Sequence, residues 1–152
     1  MRIPLLLAIG FAVAAATASP VMASEASSPT ATEATSTLTV RSSAFGRILF
    51  DSRGRALYAF TRDPRGRSAC SGACAAAWPP YVLRGRLRGG GTVERSLLGT
   101  TRRANGTRQV TYAGRPLYYY VGDRRPGEVR CQNVREFGGL WLVMRASGRL
   151  VR

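Results

Sequence analysis

Histidine and lysine are both absent from the sequence, whose 152 residues carry 23 arginines against 8 acidic side chains. Without an imidazole, the chain cannot form a Ser-His-Asp triad or a zinc site with histidine ligands. Without a lysine amine, Schiff-base catalysis is excluded as well. No serine has a histidine or lysine base to activate it, and the acidic residues lack an evident paired partner, so the thiol is the one reactive group left. We therefore expect one small domain that is not an enzyme.

The first 23 residues have the layout of a secretory signal peptide, with Arg2 followed by an apolar run at residues 3–16. This run is shorter than the roughly 20 residues needed to span a bilayer. Small residues allow cleavage before Ser19 or before Ser24, and we expect the second site to be used. The first cysteine is Cys70, so a lipid-accepting cysteine near the N-terminus is missing. The sequence therefore predicts a secreted or periplasmic protein that is not lipid-anchored and keeps no transmembrane segment after cleavage.

The segment at residues 24–37 contains Ser, Thr, Ala and Glu with one Pro and no aromatic residue. Such a composition cannot bury enough apolar surface to offset the entropy lost on ordering. We predict a flexible leader at residues 24–37 and a folded domain at residues 38–152. That domain contains 22 arginines and 6 acidic residues, which gives it a net charge of +16.

The domain contains an internal repeat, because GRALYAFTRD at residues 54–63 aligns with GRPLYYYVGD at residues 114–123. Each copy follows an apolar strand candidate, at residues 47–51 and 107–112, and precedes a tryptophan. Repeat one is predicted at about residues 45–82 and repeat two at about residues 97–151.

Glycines in short polar segments between the strand candidates indicate hairpin turns, since glycine readily adopts the positive φ that such turns require. These glycines are Gly54, Gly106, Gly114 and Gly148. Only residues 72–78 have a helical composition, and Pro79 ends that segment. The predicted fold is β-dominant, with two pseudo-symmetric repeats of antiparallel β-hairpins or meanders and one short helix.

Residues two apart in a strand share a face, so the aromatic rings within each copy should point the same way. Six rings are the natural material of a shared core, and an aromatic groove is the alternative. They belong to Tyr58, Phe60, Trp78, Tyr118, Tyr120 and Trp141.

The repeated Tyr-x-(Phe/Tyr)-x-x-Asp element resembles the bacterial secreted-repeat family described as predicted lipoproteins with a Y-X4-D motif. The stretches CSGACAAAWPP at residues 70–80 and GGLW at residues 138–141 are similar to further elements of that family. The resemblance covers about residues 45–148 and implies paired repeats and a location in the cell envelope or outside the cell. It implies no established activity, because the family is of unknown function. The chain departs from the family in lacking the lipid-bearing cysteine and in carrying Cys131.

The two aspartates that end the copies, Asp63 and Asp123, have two interpretations. Because each is repeated together with its tyrosine, they could form two equivalent ligand or cation sites. Alternatively, each carboxylate caps the amides of the loop that follows, as aspartate commonly does in turns, or pairs with an arginine. We favour the structural interpretation, since Ca²⁺ prefers about 6–8 oxygen ligands and acidic residues are too sparse to supply them.

Cys70 and Cys74 belong to an exported chain, so an oxidising compartment is expected. Chain entropy gives about 2 kcal/mol for a bridge between them and about 4 kcal/mol for a bridge from either to Cys131. The resemblance favours Cys70–Cys74, because this C-x3-C pair belongs to the family pattern, and it leaves Cys131 as an unpaired thiol. The alternative is a redox dithiol or a Cu(I) site on the same pair, although no histidine is available to complete it.

The arginines could bind polyanions through counterion release, or they could simply form a solvated surface. The candidate contacts are Arg84, Arg86, Arg88, Arg102, Arg103, Arg124 and Arg125. Outside the membrane, the partners would be anionic envelope polymers rather than a specific nucleic acid.

The sequence therefore predicts a secreted cell-envelope protein that acts as a non-catalytic binding or structural module and needs no cofactor or metal. Two alternatives stay open. One is a thiol redox or copper-handling accessory that uses the C-x3-C pair, with Cu(I) as its metal. The other is a non-specific polyanion-binding module.

Overall fold

A computed structural model of the chain describes residues 33–152, so the predicted signal peptide and most of the predicted leader lie outside the described residues. The described part is β-dominant, as the sequence predicts. Its strands are β1 Thr35–Ser43, β2 Gly46–Asp51, β3 Tyr58–Phe60, β4 Arg86–Gly89, β5 Leu98–Arg102, β6 Arg108–Tyr112, β7 Arg115–Pro116, β8 Val134–Glu136 and β9 Gly139–Val143. A short helix, α1, spans Ala73–Ala77, and a 3₁₀ turn spans Arg95–Leu97.

The strands form three small sheets, with strand orders β2–β1–β4, β3–β9–β8 and β5–β6–β7. The pairings within them are antiparallel apart from β1 with β4, which run parallel with Thr35 opposite Arg86. This parallel pair departs from the antiparallel arrangement that the sequence predicts. Isolated bridges connect strands to segments outside them: Ile48 of β2 pairs with Arg145, just after β9, and Tyr58 of β3 pairs with Tyr118, just after β7.

Strand β1 begins at Thr35, inside the segment that the sequence assigns to the leader. Ser36 and Leu38 of this strand are buried, with 4% and 0% of their surface exposed. The Ser36 hydroxyl accepts a hydrogen bond from the backbone N–H of Arg84 at 2.8 Å. These polar residues are thus held in place by partners far along the chain. Composition alone does not show such partners.

The turn between β6 and β7 has the geometry expected of a two-residue hairpin. Ala113 and Gly114 both have positive φ, at 50° and 72°. Turns with two such residues match the twist of the flanking strands. The turn after β2 is longer and is closed by a hydrogen bond from the N–H of Gly54 to the carbonyl of Asp51 at 3.0 Å.

The central strands are buried on both faces, so the core consists of two clusters. In β2, Ile48 and Phe50 point into one cluster and Leu49 points into the other, in keeping with the two-residue period of a strand. The first, which we call the aromatic cluster, is centred on Tyr58, Phe60, Trp78, Tyr118 and Trp141. The second, the aliphatic cluster, includes Leu38, Leu49, Leu57, Val110, Tyr112, Leu117 and Met144.

The aromatic cluster is built around two stacked tryptophans, Trp78 and Trp141, whose ring centroids lie 3.9 Å apart at an interplanar angle of 2°. Each tryptophan meets the edge of its own repeat's tyrosine: Tyr58 lies 5.2 Å from Trp78, and Tyr118 lies 5.1 Å from Trp141. Such pairs add about 0.5–1.5 kcal/mol beyond the burial of their area. The predicted aromatic core is therefore present.

The two copies of the repeated element differ in regularity. Residues of the first copy form β3, whereas residues 118–120 of the second copy form no strand, and Tyr118 makes only isolated bridges to Tyr58 and Pro80. Phe60 is buried, while Tyr120 is half-buried and tilts onto Trp78 at 4.7 Å. The sixth ring of the predicted core thus lies at its edge.

Candidate functional site

The repeated tyrosines and aspartates make crossed hydrogen bonds between the two copies. The hydroxyl of Tyr58 donates to Asp123 Oδ2 at 2.7 Å, and the hydroxyl of Tyr118 donates to Asp63 Oδ2 at 2.7 Å. The backbones of the two tyrosines also exchange hydrogen bonds, each N–H donating to the other's carbonyl at 2.9 Å. The tyrosine of each copy therefore holds the aspartate of the other.

The second oxygen of each carboxylate holds the loop that follows it. Asp63 Oδ1 accepts the N–H of Ala69 at 2.7 Å, and Asp123 Oδ1 accepts the N–H of Arg130 at 3.0 Å. These contacts are the ones that the structural interpretation predicts. In the described part of the chain, no cluster of three His, Cys, Asp or Glu side chains could hold a metal ion.

Burial dominates the titration of these groups. Desolvation raises the pKa of Asp63 and of Asp123 above the usual 3.8, against the lowering effect of their hydrogen-bond donors. Desolvation also raises the pKa of Tyr58 and of Tyr118 well above the usual 10. Both phenols therefore stay protonated at neutral pH and act as hydrogen-bond donors rather than as bases.

The disulfide joins Cys70 to Cys74, with a Cα–Cα distance of 5.3 Å. Cys131 is free and buried. All three side chains belong to the aromatic cluster. The predicted pairing and the predicted free thiol are thus both present, and burial raises the pKa of the Cys131 thiol.

In each repeat, the residue before a cysteine donates its backbone N–H to the repeated aspartate. Ala69, before Cys70, donates to Asp63, and Arg130, before Cys131, donates to Asp123. Cys131 therefore occupies in the second repeat the position that Cys70 occupies in the first. The sequence did not reveal this correspondence, because the loop between aspartate and cysteine is one residue longer in the second repeat.

The predicted arginine contacts do not form one patch. Arg84, Arg88, Arg102 and Arg124 line four separate concavities. Of the seven predicted side chains, Arg103 is half-buried. The other six are exposed: Arg84, Arg86, Arg88, Arg102, Arg124 and Arg125.

Two of these arginines already have partners. Arg103 donates to Gln109 Oε1 and to the Cys70 carbonyl, each at 2.6 Å, and to Ser68 Oγ at 2.9 Å. Its guanidinium thereby fastens the β5–β6 hairpin to the loop before α1. Arg86 lies 3.0 Å from Glu33, an exposed ion pair of the kind that contributes little.

The remaining arginines give the described residues a strong positive surface. Residues 33–152 contain 22 arginines and 7 acidic side chains. Within this stretch, only Arg86 and Arg130 lie in ion pairs, with Glu33 and Glu128. Asp51, Asp63 and Asp123 are buried and accept hydrogen bonds from tyrosine hydroxyls and backbone N–H groups rather than from guanidinium groups. Most guanidinium groups of the described chain are therefore not neutralised by a neighbouring carboxylate.

A third tyrosine–aspartate contact was not predicted from the sequence. The hydroxyl of Tyr119 donates to Asp51 Oδ2 at 3.1 Å, and Asp51 Oδ1 accepts the N–H groups of Arg53 and Arg55 at 2.9 and 2.8 Å. The guanidinium of Arg55 lies 3.9 Å from the centroid of the Tyr119 ring. An aspartate at the start of a glycine-containing turn indicates that its carboxylate accepts the N–H groups of that turn. The contact with Tyr119 could not be predicted in this way, because the two residues are 68 positions apart.

These observations define a β-dominant two-repeat domain with a buried aromatic centre and an arginine-rich exterior. A family model described as a secreted repeat of unknown function matches residues 39–81 and 99–145, and the chain belongs to that family. Each matched stretch contains one copy of the repeated element. A search of curated proteins and a search of solved structures found no match. None of the described helices is long and apolar enough to cross a membrane.

Proposed function

We propose that this protein is a non-catalytic binding module of the cell envelope whose ligands are anionic polymers. The observation that carries the proposal is the surface charge: among residues 33–152, 22 arginines face 7 acidic side chains, and only two of the guanidiniums lie in ion pairs. Such a surface attracts polyanions by releasing their condensed counterions.

Support for a non-catalytic role comes from the chemistry of the buried groups. The repeated tyrosines and aspartates are engaged with one another, and burial raises the pKa of the Tyr58 and Tyr118 phenols. Burial also raises the pKa of the Cys131 thiol, which lowers the fraction of reactive thiolate at neutral pH. These side chains maintain the fold, and we assign binding to the exterior.

The proposed location is the periplasm or the cell exterior, reached by cleavage of the predicted signal peptide before Ser24. The match to a family described as secreted supports export. Intact mass measurement of the exported protein tests the processing. The expected mass is that of a chain whose first residue is Ser24, and the mass of the uncleaved chain would contradict the proposal.

The thiol alternative requires that the Cys70–Cys74 disulfide opens, because sulfurs joined to each other cannot bind Cu(I) as thiolates. Their residues are 1% and 7% exposed, which restricts attack on the disulfide. Thiol titration of the native protein under mild reductant tests this alternative. Rapid release of two thiols, followed by retention of Cu(I) on ultrafiltration, would favour it.

Polymer binding is tested by titrating the full exported chain with poly(glycerol phosphate) at several salt concentrations, with neutral dextran as the control. The proposal predicts binding at low salt whose logarithmic affinity falls linearly with the logarithm of salt concentration. Absence of binding at low salt, or equal binding of dextran, would overturn it.

A further inference from the structure

A polar concavity of about 310 Å³ lies where β2 ends, a volume at the lower end of typical small-ligand sites. Three arginines line it: Arg53 and Arg55 from the turn after β2, and Arg84 from the segment before β4. We call it the Arg55 pocket. The sequence predicted only Arg84 as a contact, because the other two reach the same place through the fold.

The turn that carries two of these arginines is held rigidly by Asp51. Its Oδ1 accepts the backbone N–H groups of both Arg53 and Arg55, and its Oδ2 accepts the hydroxyl of Tyr119. Asp51 is 6% exposed. The Tyr119 ring in turn supports the guanidinium of Arg55, at 3.9 Å from the ring centroid. The pocket is therefore organised before any ligand arrives.

Apart from the contact of Arg55 with the Tyr119 ring, the three guanidinium groups have no hydrogen-bond or ion-pair partner within the described residues. None of them donates a side-chain hydrogen bond there, and the two ion pairs of that stretch involve Arg86 and Arg130 instead. Asp51 is the carboxylate in the wall, and its oxygens already accept three hydrogen bonds. Like charges brought together in one concavity repel each other, so an anion placed among them would lower the free energy.

Three guanidinium groups suit a phosphoryl group better than a carboxylate. A planar guanidinium donates two parallel hydrogen bonds to one oxyanion group, and a carboxylate has only two oxygens to offer. A phosphoryl group presents additional oxygens in other directions, so arginines from separate segments can each contact one. We propose that the Arg55 pocket binds a phosphoryl group of the anionic polymer, an inference that rests on the proposed function and specifies one site for it.

The test measures the affinity of the full exported chain for glycerol 3-phosphate by calorimetric titration at fixed ionic strength. The variant Arg53→Gln with Arg84→Gln removes two exposed charges from the pocket, and we expect it to weaken binding at least about tenfold, since hydrogen bonds to charged groups are lost. Arg55→Lys keeps the charge but loses the planar fork and its support on Tyr119, and should also weaken binding. The control, Arg95→Gln with Arg135→Gln, removes two exposed charges elsewhere and should leave binding within about twofold.

Three results would overturn the proposal that the Arg55 pocket binds a phosphoryl group. They are the absence of saturable binding of glycerol 3-phosphate, an equal loss in the pocket variant and the control, and binding of glycerate as tight as that of glycerol 3-phosphate. Melting temperatures of all variants show whether each remains folded. Poly(glycerol phosphate) separates the two proposals: if the native chain still binds this polymer while the pocket fails, the surface proposal stands. If the native chain does not bind the polymer, the surface proposal fails, and glycerol 3-phosphate still decides whether the pocket binds a free phosphoryl compound.

Discussion

The two copies of the repeated element make the same contacts at the centre of the molecule and different contacts at its edge. In both, the tyrosine donates to the aspartate of the other copy at 2.7 Å. At the edge, Cys70 is bridged to Cys74 whereas Cys131 is free, and Phe60 is buried whereas Tyr120 is half-buried. The repeated tyrosines and aspartates therefore build the contact between the copies, and the cysteines and the Phe60/Tyr120 pair have different surroundings in each.

The tryptophans show the same division. Their rings stack on each other at 3.9 Å, but the indole N–H of Trp78 donates to Glu136 Oε2 at 2.9 Å, while that of Trp141 is buried without a partner in the described structure. A buried donor without a partner costs free energy. Packing of the two rings is thus shared between the repeats, and the polar contact is present in one only.

The largest expected effect comes from removing a ring from the stack. Trp141→Ala deletes contacts with Trp78, Phe60 and Tyr118 and should lower the free energy of unfolding by about 3–5 kcal/mol, measured by urea denaturation. Val121→Ala is the control, since its side chain is 52% exposed and the change should stay within about 0.5 kcal/mol. A loss below about 1 kcal/mol for Trp141→Ala would show that the stack does not hold the repeats together.

Removal of either repeated hydroxyl should be the next largest effect. Tyr58→Phe and Tyr118→Phe each leave a buried carboxylate without its phenol donor, so we expect losses of about 1.5–3 kcal/mol in both. Equilibrium unfolding in urea measures them side by side. If one variant is strongly destabilised and the other is as stable as the native chain, the two copies are not equivalent at their centre.

Cysteine substitutions should destabilise the protein more in the first repeat, which contains the disulfide, than in the second. Replacing both Cys70 and Cys74 by alanine opens a short loop and should lower stability by about 2 kcal/mol on chain entropy. Cys131→Ala removes one small buried side chain and should cost about 1 kcal/mol or less. Calorimetric melting of both variants tests the difference. A Cys131→Ala variant that is the less stable of the two would reverse the comparison.

The smallest expected effect is on pH dependence. Because burial raises the pKa of Asp63 and Asp123 above 3.8 in the fold, the folded state binds these protons more tightly than the unfolded chain. These two groups therefore stabilise the fold as the pH falls from neutral towards 3.8, and that contribution is lost again as the pH rises through their folded-state pKa.

The measurement is the melting temperature between about pH 7 and about pH 4.5. Asp63→Asn with Asp123→Asn should change less over this range than the native chain does. Glu128 acts in the opposite sense at lower pH, because the hydrogen bond from Arg130 lowers its pKa from 4.5 to about 2. Identical pH profiles for the native chain and the double variant would contradict the assignment.

The sequence predicts the features that depend on local chemistry. The predicted turn glycines Gly106 and Gly114 have positive φ, and the predicted core rings are buried apart from that of Tyr120, which lies at the edge. The sequence assigns residues 35–37 of β1 to the flexible leader, and this is wrong because their polar side chains do not show that the backbone pairs with β4. The crossed hydrogen bonds span 55 and 65 positions, so a repeat could be recognised without showing which aspartate each tyrosine holds. Pseudo-symmetry of the repeats as whole units stays a prediction.

The same reasoning applies to the candidate site. Arg103 was predicted as a surface contact from its neighbour Arg102, yet the fold directs its guanidinium to Gln109 and the Cys70 carbonyl. The sequence does not distinguish Arg55 from the other arginines, because the Tyr119 ring that it contacts lies 64 positions further along the chain. Charge can be counted from composition, but which charges meet in one concavity depends on the tertiary structure.

A double-mutant cycle on Tyr58→Phe and Asp123→Asn tests most directly whether each copy's tyrosine holds the other copy's aspartate. The two residues share a hydrogen bond, so their effects on the free energy of unfolding should be coupled by about 0.5–3 kcal/mol. The matched cycle on Tyr58→Phe and Asp63→Asn joins residues of one copy that share no hydrogen bond, and the coupling should be smaller. Stronger coupling within one copy than between the copies would contradict the crossed arrangement.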